Sequence, residues 1–503
     1  MSPRYKYLVG LIALTVILST DAAFSYDSRM ELFEGGNVAG LISLRSSLLS
    51  GAGIEGASSG FTAPLKLEPF IIFGNPAALG LIEGRAFALS SSPALGLNVT
   101  NFYDPSPTVQ NSIDNSTQNF EMAARKIYPE VTGEILRNGA IVTGFAASFS
   151  LDEMDEEWFG GKLPRLVDRI AFGYQQPLEM GFKLIYAGLR TRIRSIEANP
   201  EDAILMFASI NMDMDISISS HAWTFGGAKQ IGDWWVGASL LRTDAIFQMN
   251  ANQRTDGIMS KAGSESAFND PRDPWANDFF SVANGEFDGA AWALRLGALY
   301  PYAEKWLFGA DLRLQSPISM EGEFDIQLHR FTALKLNAQE DEEQFNVSNI
   351  DPTELTRTTP KMFTPSKKMT ANIPSQLSIA ASMQSFFKPS ITLTKYFGEL
   401  SYRYKMLEDG APFVYKRGLK PNWAARGSLD IMLFNAGFGI TSATDVNTGY
   451  KDASGQLIKT GNEIKLPYLA LTFDASIADN MALGVLLVGL PEDFLRFTLQ
   501  YKF

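Results

Sequence analysis

The chain has no cysteine and only two histidines, His221 and His329. Disulfides and thiolate metal sites are therefore excluded. A barrel-embedded hydrolase would need one of the two imidazoles beside a serine or aspartate. Ser219 lies two residues from His221, which permits contact but indicates no activation, and His329 shares a face with Asp325 and Gln327. No enzyme is expected. Charge is sparse at 19% and the net charge is −12, without a basic stripe, so nucleic acid is not an expected partner. Beyond Tyr26 no apolar run approaches the roughly 18 residues of a membrane helix, which excludes a helical membrane protein.

The N-terminus carries Arg4 and Lys6, an apolar run from Leu8 to Leu18, and then Ala23-Phe24-Ser25 before Tyr26. This reads as a signal peptide over residues 1–25 with cleavage after Ser25; its apolar run is shorter than the roughly 20 residues a bilayer requires. With no cysteine after the run, a lipid anchor is excluded. An exported chain without thiols also suits an oxidising compartment.

What is present is apolarity in small doses: 42 glycines, 12% aromatics and a mean hydropathy of −0.03. It comes as alternation. Leu495, Phe497, Leu499, Tyr501 and Phe503 share one face of a strand, opposite Arg496, Thr498, Gln500 and Lys502. Trp306 to Gln315, Trp292 to Tyr300, Leu377 to Met383, Leu400 to Tyr404 and Phe434 to Ile440 repeat the pattern. Such segments run to about ten residues, longer than ordinary sandwich strands of about five or six, and suit a wall between lipid and a wet lumen. From Met206 to Ile218 the apolar residues alternate with Asp213 and Asp215, which the pattern assigns to a polar lumen. Tyr300, Tyr302, Trp306, Tyr402, Tyr404 and Tyr501 read as interfacial aromatics.

The fold class expected is all-β, a transmembrane antiparallel β-barrel of about fourteen strands with an N-terminal plug in the lumen. Counting back from the terminus gives that number with the first strand near Gly139. The extended segment 85–103 then breaks even parity unless two segments merge, with the Pro317 region as the suspect. Short inner turns are expected near Gln175-Gln176-Pro177, Ile231-Gly232-Asp233, Tyr302-Ala303-Glu304, Lys388-Pro389 and Ala478-Asp479-Asn480; long outer loops are expected near 250–286 and 337–371, with shorter ones near 446–463 and 406–414. The acidic runs Glu340-Asp341-Glu342-Glu343 and Asn269 to Asp273 fall in outer loops and read as solvated. Phe120 to Leu136 has helical apolar spacing, with a kink at Pro129.

Residues 26–84 are rich in glycine, alanine and serine without regular alternation and are expected to lie off the wall; about fourteen strands enclose room for them as a plug. Residues 85–503 would form the barrel. Within the plug the apolar run Phe70 to Phe73 turns sharply at Asn75-Pro76. Candidate pocket residues are Leu32, Phe33, Phe70, Ile71, Phe73, Asn75, Pro76 and Leu79, with plug-to-wall packing the equal alternative for each. No cofactor or metal is expected.

The stretch FGNPAALG, Phe73 to Gly80, resembles the Asn-Pro-Ala element after the hatch of the long-chain fatty acid outer-membrane transporter (FadL-type) family. GADLRLQSPISMEGEFD, from Gly309, and MTANIPSQLSIAASMQ, from Met369, resemble later segments of that family in the same order, and the chain ends on Phe503. The stretch before Asn75 is longer than the usual hatch and lacks the Asp-Asp-Ala run. The resemblance implies a fourteen-stranded barrel in the outer membrane of a Gram-negative cell, closed by a hatch, taking up hydrophobic small molecules passively and releasing them through an opening in the wall. It also implies a monomer, contacts with outer-membrane lipid and lipopolysaccharide, and recognition of Phe503 by assembly machinery. An adaptor of a protein secretion system and a general porin are the alternative functions.

Overall fold

In the computed structural model, described residues are 28–46, 69–91, 94–104, 127–136, 142–154, 166–195, 205–261, 264–268, 280–331 except 304, and 358–502 except 362, 365, 384, 386, 409–410, 432–433, 447–460, 462 and 490–493. The expected signal peptide, both acidic loop runs and Phe503 lie outside them.

Among the described residues, alternation resolves into a single antiparallel sheet of 23 strands. β1 (Ser28–Ser46) precedes the wall proper. The first stave of the wall is β2 (Ala86–Ser91) with β3 (Ala94–Asp104), and the second is β4 (Ile127–Leu136) with β5 (Gly144–Ser150). β6 (Arg169–Ser195), β7 (Leu205–Ile231) and β8 (Trp234–Lys261) follow; β8 turns back into the short β9 (Ser264–Phe268) before β10 (Phe280–Tyr302). β11 (Trp306–Gln315) and β12 (Ile318–Phe331) form the seventh stave, and β13 (Thr358–Lys361), β14 (Phe363–Thr364), β15 (Ser366–Asn372) and β16 (Ser375–Met383) the eighth. β17 (Ser390–Phe397) and β18 (Leu400–Glu408) form the ninth. β19 (Ala411–Ile431), β20 (Phe434–Asp445), β21 (Glu463–Ala478), β22 (Met481–Gly489) and β23 (Phe494–Lys502) complete fourteen.

The circle closes where β23 pairs with β2, from Ala86 opposite Lys502 to Ser91 opposite Phe497. Closure leaves no wall edge at that level, which a membrane span requires. The parity question is settled at the proline: β11 and β12 both pair with β10, along its inner and outer halves, so 306–331 is one stave interrupted at Ser316-Pro317. Segment 85–103 is the first stave.

Four sequence expectations are corrected. Gln175 to Pro177 is not a turn; it lies inside β6, where the register with β7 slips between Gln175 and Leu178, because Pro177 has no N–H for the ladder. Residues 127–136 form strand β4 rather than a helix, held by β3. The loop expected over 250–286 is largely strand, since β8 runs on to Lys261 and β10 begins at Phe280, paired with Arg254. Residues 28–46, expected off the wall, run as β1 beside the outer part of β6 and against β3. β6 thus changes partner at Pro177, from β5 below to β1 above.

Candidate ligand chamber and lumen segment

β6 and β7 have 27 residues each, β8 has 28 and β10 has 23, whereas a bilayer needs about 9–11. Side-chain exposure divides them. On the turn side, outward positions are large and apolar: Trp223, Phe225, Leu240, Trp292, Leu294, Leu296, Phe308, Ile379, Leu393, Phe438, Leu469 and Phe497. Trp234 stacks on Tyr300 at 4.7 Å and Trp306 on Phe308 at 6.2 Å along the turn-side rim. Register aligns Trp223 and Trp292 with Arg242 between them at the opposite rim, and Arg242 pairs with Asp244 at 3.0 Å. Apolar surface between two aromatic rims is the outside of a membrane-spanning barrel. Among the described residues no helix is long and apolar enough to cross a membrane.

Inside this belt one part of the lumen is polar. Arg295, Asp311, Arg313, Gln376, Ser378, Arg426, Asn435 and Gln500 are buried there. Arg295 lies 3.8 Å from Asp311 and donates to the Gly74 carbonyl at 2.8 Å. Arg313 donates to the Pro374 carbonyl at 2.8 Å.

Residues 69–82 occupy the lumen side of the same level as two short 3-10 turns, Pro69–Phe73 and Pro76–Leu81. Asn75 starts the second: its side-chain oxygen accepts from the Ala77 N–H at 3.0 Å, and Pro76 occupies a position that needs no N–H. The Asn75 amide donates to the carbonyls of Ala298 and Ala310, at 3.4 and 3.2 Å, residues directly opposite each other on β10 and β11. Gly237 and Gly297 make the approach possible, since a Cβ on Gly297 would fall on Asn75 Oδ1 and one on Gly237 on the Ala77 nitrogen. Phe70, Ile71, Phe73 and Leu79 join one cluster with Leu241, Leu299 and Leu307 of the wall, with Trp235 packed against it.

Beyond the outer rim the pattern inverts. On β7, Asp213 is exposed and Ser217 and Ser219 are half-exposed, whereas Met212 and Met214 are buried. Ile216 and Ile218 pack into an inner cluster with Phe247, Phe287, Ile318, Met320, Phe324 and Met369. The sequence reading of this strand is thereby reversed: the aspartates face outward and the methionines face the lumen. Tyr402 and Tyr404, expected at a rim, belong to the same cluster. Phe247 of β8 reaches Tyr402 of β18, four staves away, at 6.2 Å, so side chains meet across the interior. Tyr404 stacks on Tyr415 at 4.9 Å, and the Arg417 guanidinium lies 5.4 Å from the Tyr415 ring centre. Burial pushes all three phenols above their ordinary range, so they remain protonated donors at neutral pH.

Of the expected pocket residues, Phe70, Ile71, Phe73, Asn75, Pro76 and Leu79 come together, all buried, on the lumen segment. Leu32 and Phe33 lie in β1, their side chains outside the described residues. The residues of the outer apolar cluster were not among the expected pocket residues; their signal was the methionine-rich alternation of β7. His221 faces outward at the rim, its Nδ1 2.7 Å from the Tyr174 hydroxyl.

No family model and no curated protein matches the chain. Among solved structures it is similar to a FadL homologue of Pseudomonas aeruginosa, with 13% identity over 90% of this chain and 98% of that one and a TM-score of 0.42. It is also similar to the toluene transporter TbuX of Ralstonia pickettii (12% identity, 90% and 99% covered, TM-score 0.37) and the toluene transporter TodX of Pseudomonas putida (10%, 88% and 96%, 0.37). The barrel assignment rests on the strand pairing itself.

Proposed function

We propose that this chain is an outer-membrane channel for passive uptake of hydrophobic small molecules such as long-chain fatty acids, and a divergent relative of the FadL-type family. The observation that carries this reading is the apolar interior where the outer wall faces water, set above a belt whose lumen is filled by buried charged side chains and by the segment 69–82. A hydrophobic solute leaving water gains about 0.8 kcal/mol per buried CH₂, so the outer chamber is where it is captured. Tyr402, Tyr415 and Arg417, hydrogen-bonded to one another, set a positive charge and polar groups beside the outer apolar cluster, which suits a single anionic head on an apolar tail. Below the rim the buried charged groups Arg295, Asp311 and Arg313 and the segment 69–82, acting as a plug, oppose further descent. A captured molecule therefore leaves sideways, near the Pro177 partner change, into the bilayer. The working unit is a monomer, and Phe503 serves as the signal to assembly machinery.

The test is a liposome assay with the purified full chain and a fluorescent long-chain fatty acid. Uptake that saturates and is competed by unlabelled fatty acid is expected, together with detergent or fatty acid retained on purification. Ion conductance with no lipid binding would indicate a general porin instead. Retention of a secreted protein partner, without fatty acid uptake, would indicate an adaptor.

A further inference from the structure

Outside the barrel, above and at the outer rim, charge is sorted by sector. Glu286 faces Glu323, and Asp288 faces Glu321, across β10 and β12. The sector from β15 to β21 instead carries an excess of lysine and arginine over carboxylate: Lys367, Lys368, Lys395, Arg403, Lys405, Lys420 and Lys465 are exposed there, against the exposed Glu463 and the half-exposed Glu399 and Asp445. At its rim, register sets Lys395, Trp423, Ser442 and Lys465 in one row across β17, β19, β20 and β21. At about 4.8 Å per strand the two lysines stand about 14 Å apart. Lys395, Trp423 and Lys465 are exposed. Trp423 marks the interface, and the long lysine side chains can reach outward from the belt edge.

A second tier lies further out on the same strands, roughly 20 Å higher along the tilted wall. Arg403 and Lys405 share the outward face of β18 and are exposed. Lys416 of β19 stands directly opposite Arg403. Like charges directly opposite destabilise a sheet. Glu399 contacts Lys416 at 2.5 Å, and among the described residues no carboxylate lies within ion-pair distance of Arg403 or Lys405. In a chain of net charge −12, such a cationic face implies an anionic occupant.

We propose that this face binds a phosphorylated glycolipid of the outer leaflet, lipopolysaccharide, with its lipid-level phosphates on Lys395 and Lys465 and its next phosphorylated sugars on Arg403 and Lys405. A glycerophospholipid carries its phosphate at one depth and meets only the rim. The inference rests on the outer-membrane reading above.

The full chain is reconstituted in phosphatidylethanolamine vesicles containing bisphosphorylated lipopolysaccharide, dephosphorylated lipopolysaccharide or phosphatidylglycerol, then extracted in mild detergent, and the co-purifying lipid is counted by mass spectrometry. Retention of the phosphorylated form is expected, and it drops about tenfold in Lys395→Gln/Lys465→Gln and in Arg403→Gln/Lys405→Gln, while Glu286→Gln/Glu323→Gln retains it. Heat-modifiable gel mobility reports folding in each case. Equal retention of the dephosphorylated form, or of phosphatidylglycerol, overturns the proposal, as does retention that survives both double variants. Failure of the wild-type chain to insert into any vesicle would instead overturn the membrane reading.

Discussion

Asn75 is a single side chain that ties two strands to a loop. Its amide meets the carbonyls of Ala298 and Ala310 while its oxygen caps Ala77. Asn75→Ala leaves the Ala77 N–H without its side-chain acceptor and is expected to cost about 1–3 kcal/mol. Gly297→Ala is expected to be no milder, because its Cβ falls on Asn75; the carbonyl bonds would break without removal of the amide. In both variants the temperature at which the folded gel band converts should fall, and protease should reach segment 69–82. An unchanged conversion temperature in Gly297→Ala would argue that the segment does not hold this position. The Asn-Pro turn was legible from sequence because both residues punctuate the chain by local rules. The chamber residues were not, because Phe247, Phe287 and Met320 come from β8, β10 and β12 and no local spacing links them. Phe247→Ala, which removes the ring that meets Tyr402 across the interior, is expected to raise the rate of fatty acid entry and weaken its retention. Liposome uptake and equilibrium binding separate the two effects.

At the scale of the element, β7 explains why alternation gave the barrel but misplaced one lumen face. A period of two states that successive residues face opposite ways; it does not state which way is out. Within the belt lipid decides, and Trp223 and Phe225 face outward. Above it water decides, and the same face carries Asp213 and Asp215 on an unbroken strand. The strand length held the missing information, since 27 residues exceed any bilayer. The absence of native cysteine allows a direct test. Asp213→Cys should react with a membrane-impermeant maleimide on intact cells, and Met214→Cys should be protected; the reverse order would restore the sequence reading. β1 was missed for a different reason: residues 28–46 lack regular alternation, and the strand is specified by the partner position that β5 vacates beside β6. Ala39→Cys/Ile185→Cys, directly opposite across β1 and β6, should oxidise to a disulfide, since antiparallel neighbours lie within the Cα separation the bond requires. If the bond forms and fatty acid uptake persists unchanged, movement of β1 away from β6 is not part of the transport path.

At the scale of the whole molecule the two halves of the barrel should respond differently to alkali. The belt half is held by lipid on its outside, and the polar part of its lumen is tied by arginine to backbone carbonyls. The outer half depends on an inner cluster against which three tyrosines are buried, each with its pKa raised chiefly by desolvation. In an unfolded chain those phenols ionise near pH 10. The folded state therefore binds more protons than the unfolded state above that pH. Their contribution to stability is complete below about pH 10 and is lost as the pH rises toward the folded-state values. Raising the pH beyond 10 should open the outer half first, seen as loss of protease resistance in the outer strands while the belt stays embedded in liposomes. The triple variant Tyr402→Phe/Tyr404→Phe/Tyr415→Phe cannot ionise and should keep its outer half intact over the same range. At acid pH the chamber should lose ligand for a separate reason: a fatty acid is neutral below about pH 4–5 and no longer draws on the charge of Arg417. Arg417→Gln should abolish that acid dependence while preserving the binding of a neutral long-chain alcohol. A variant that still bound fatty acid more tightly than the alcohol at neutral pH would show that the head group is read elsewhere.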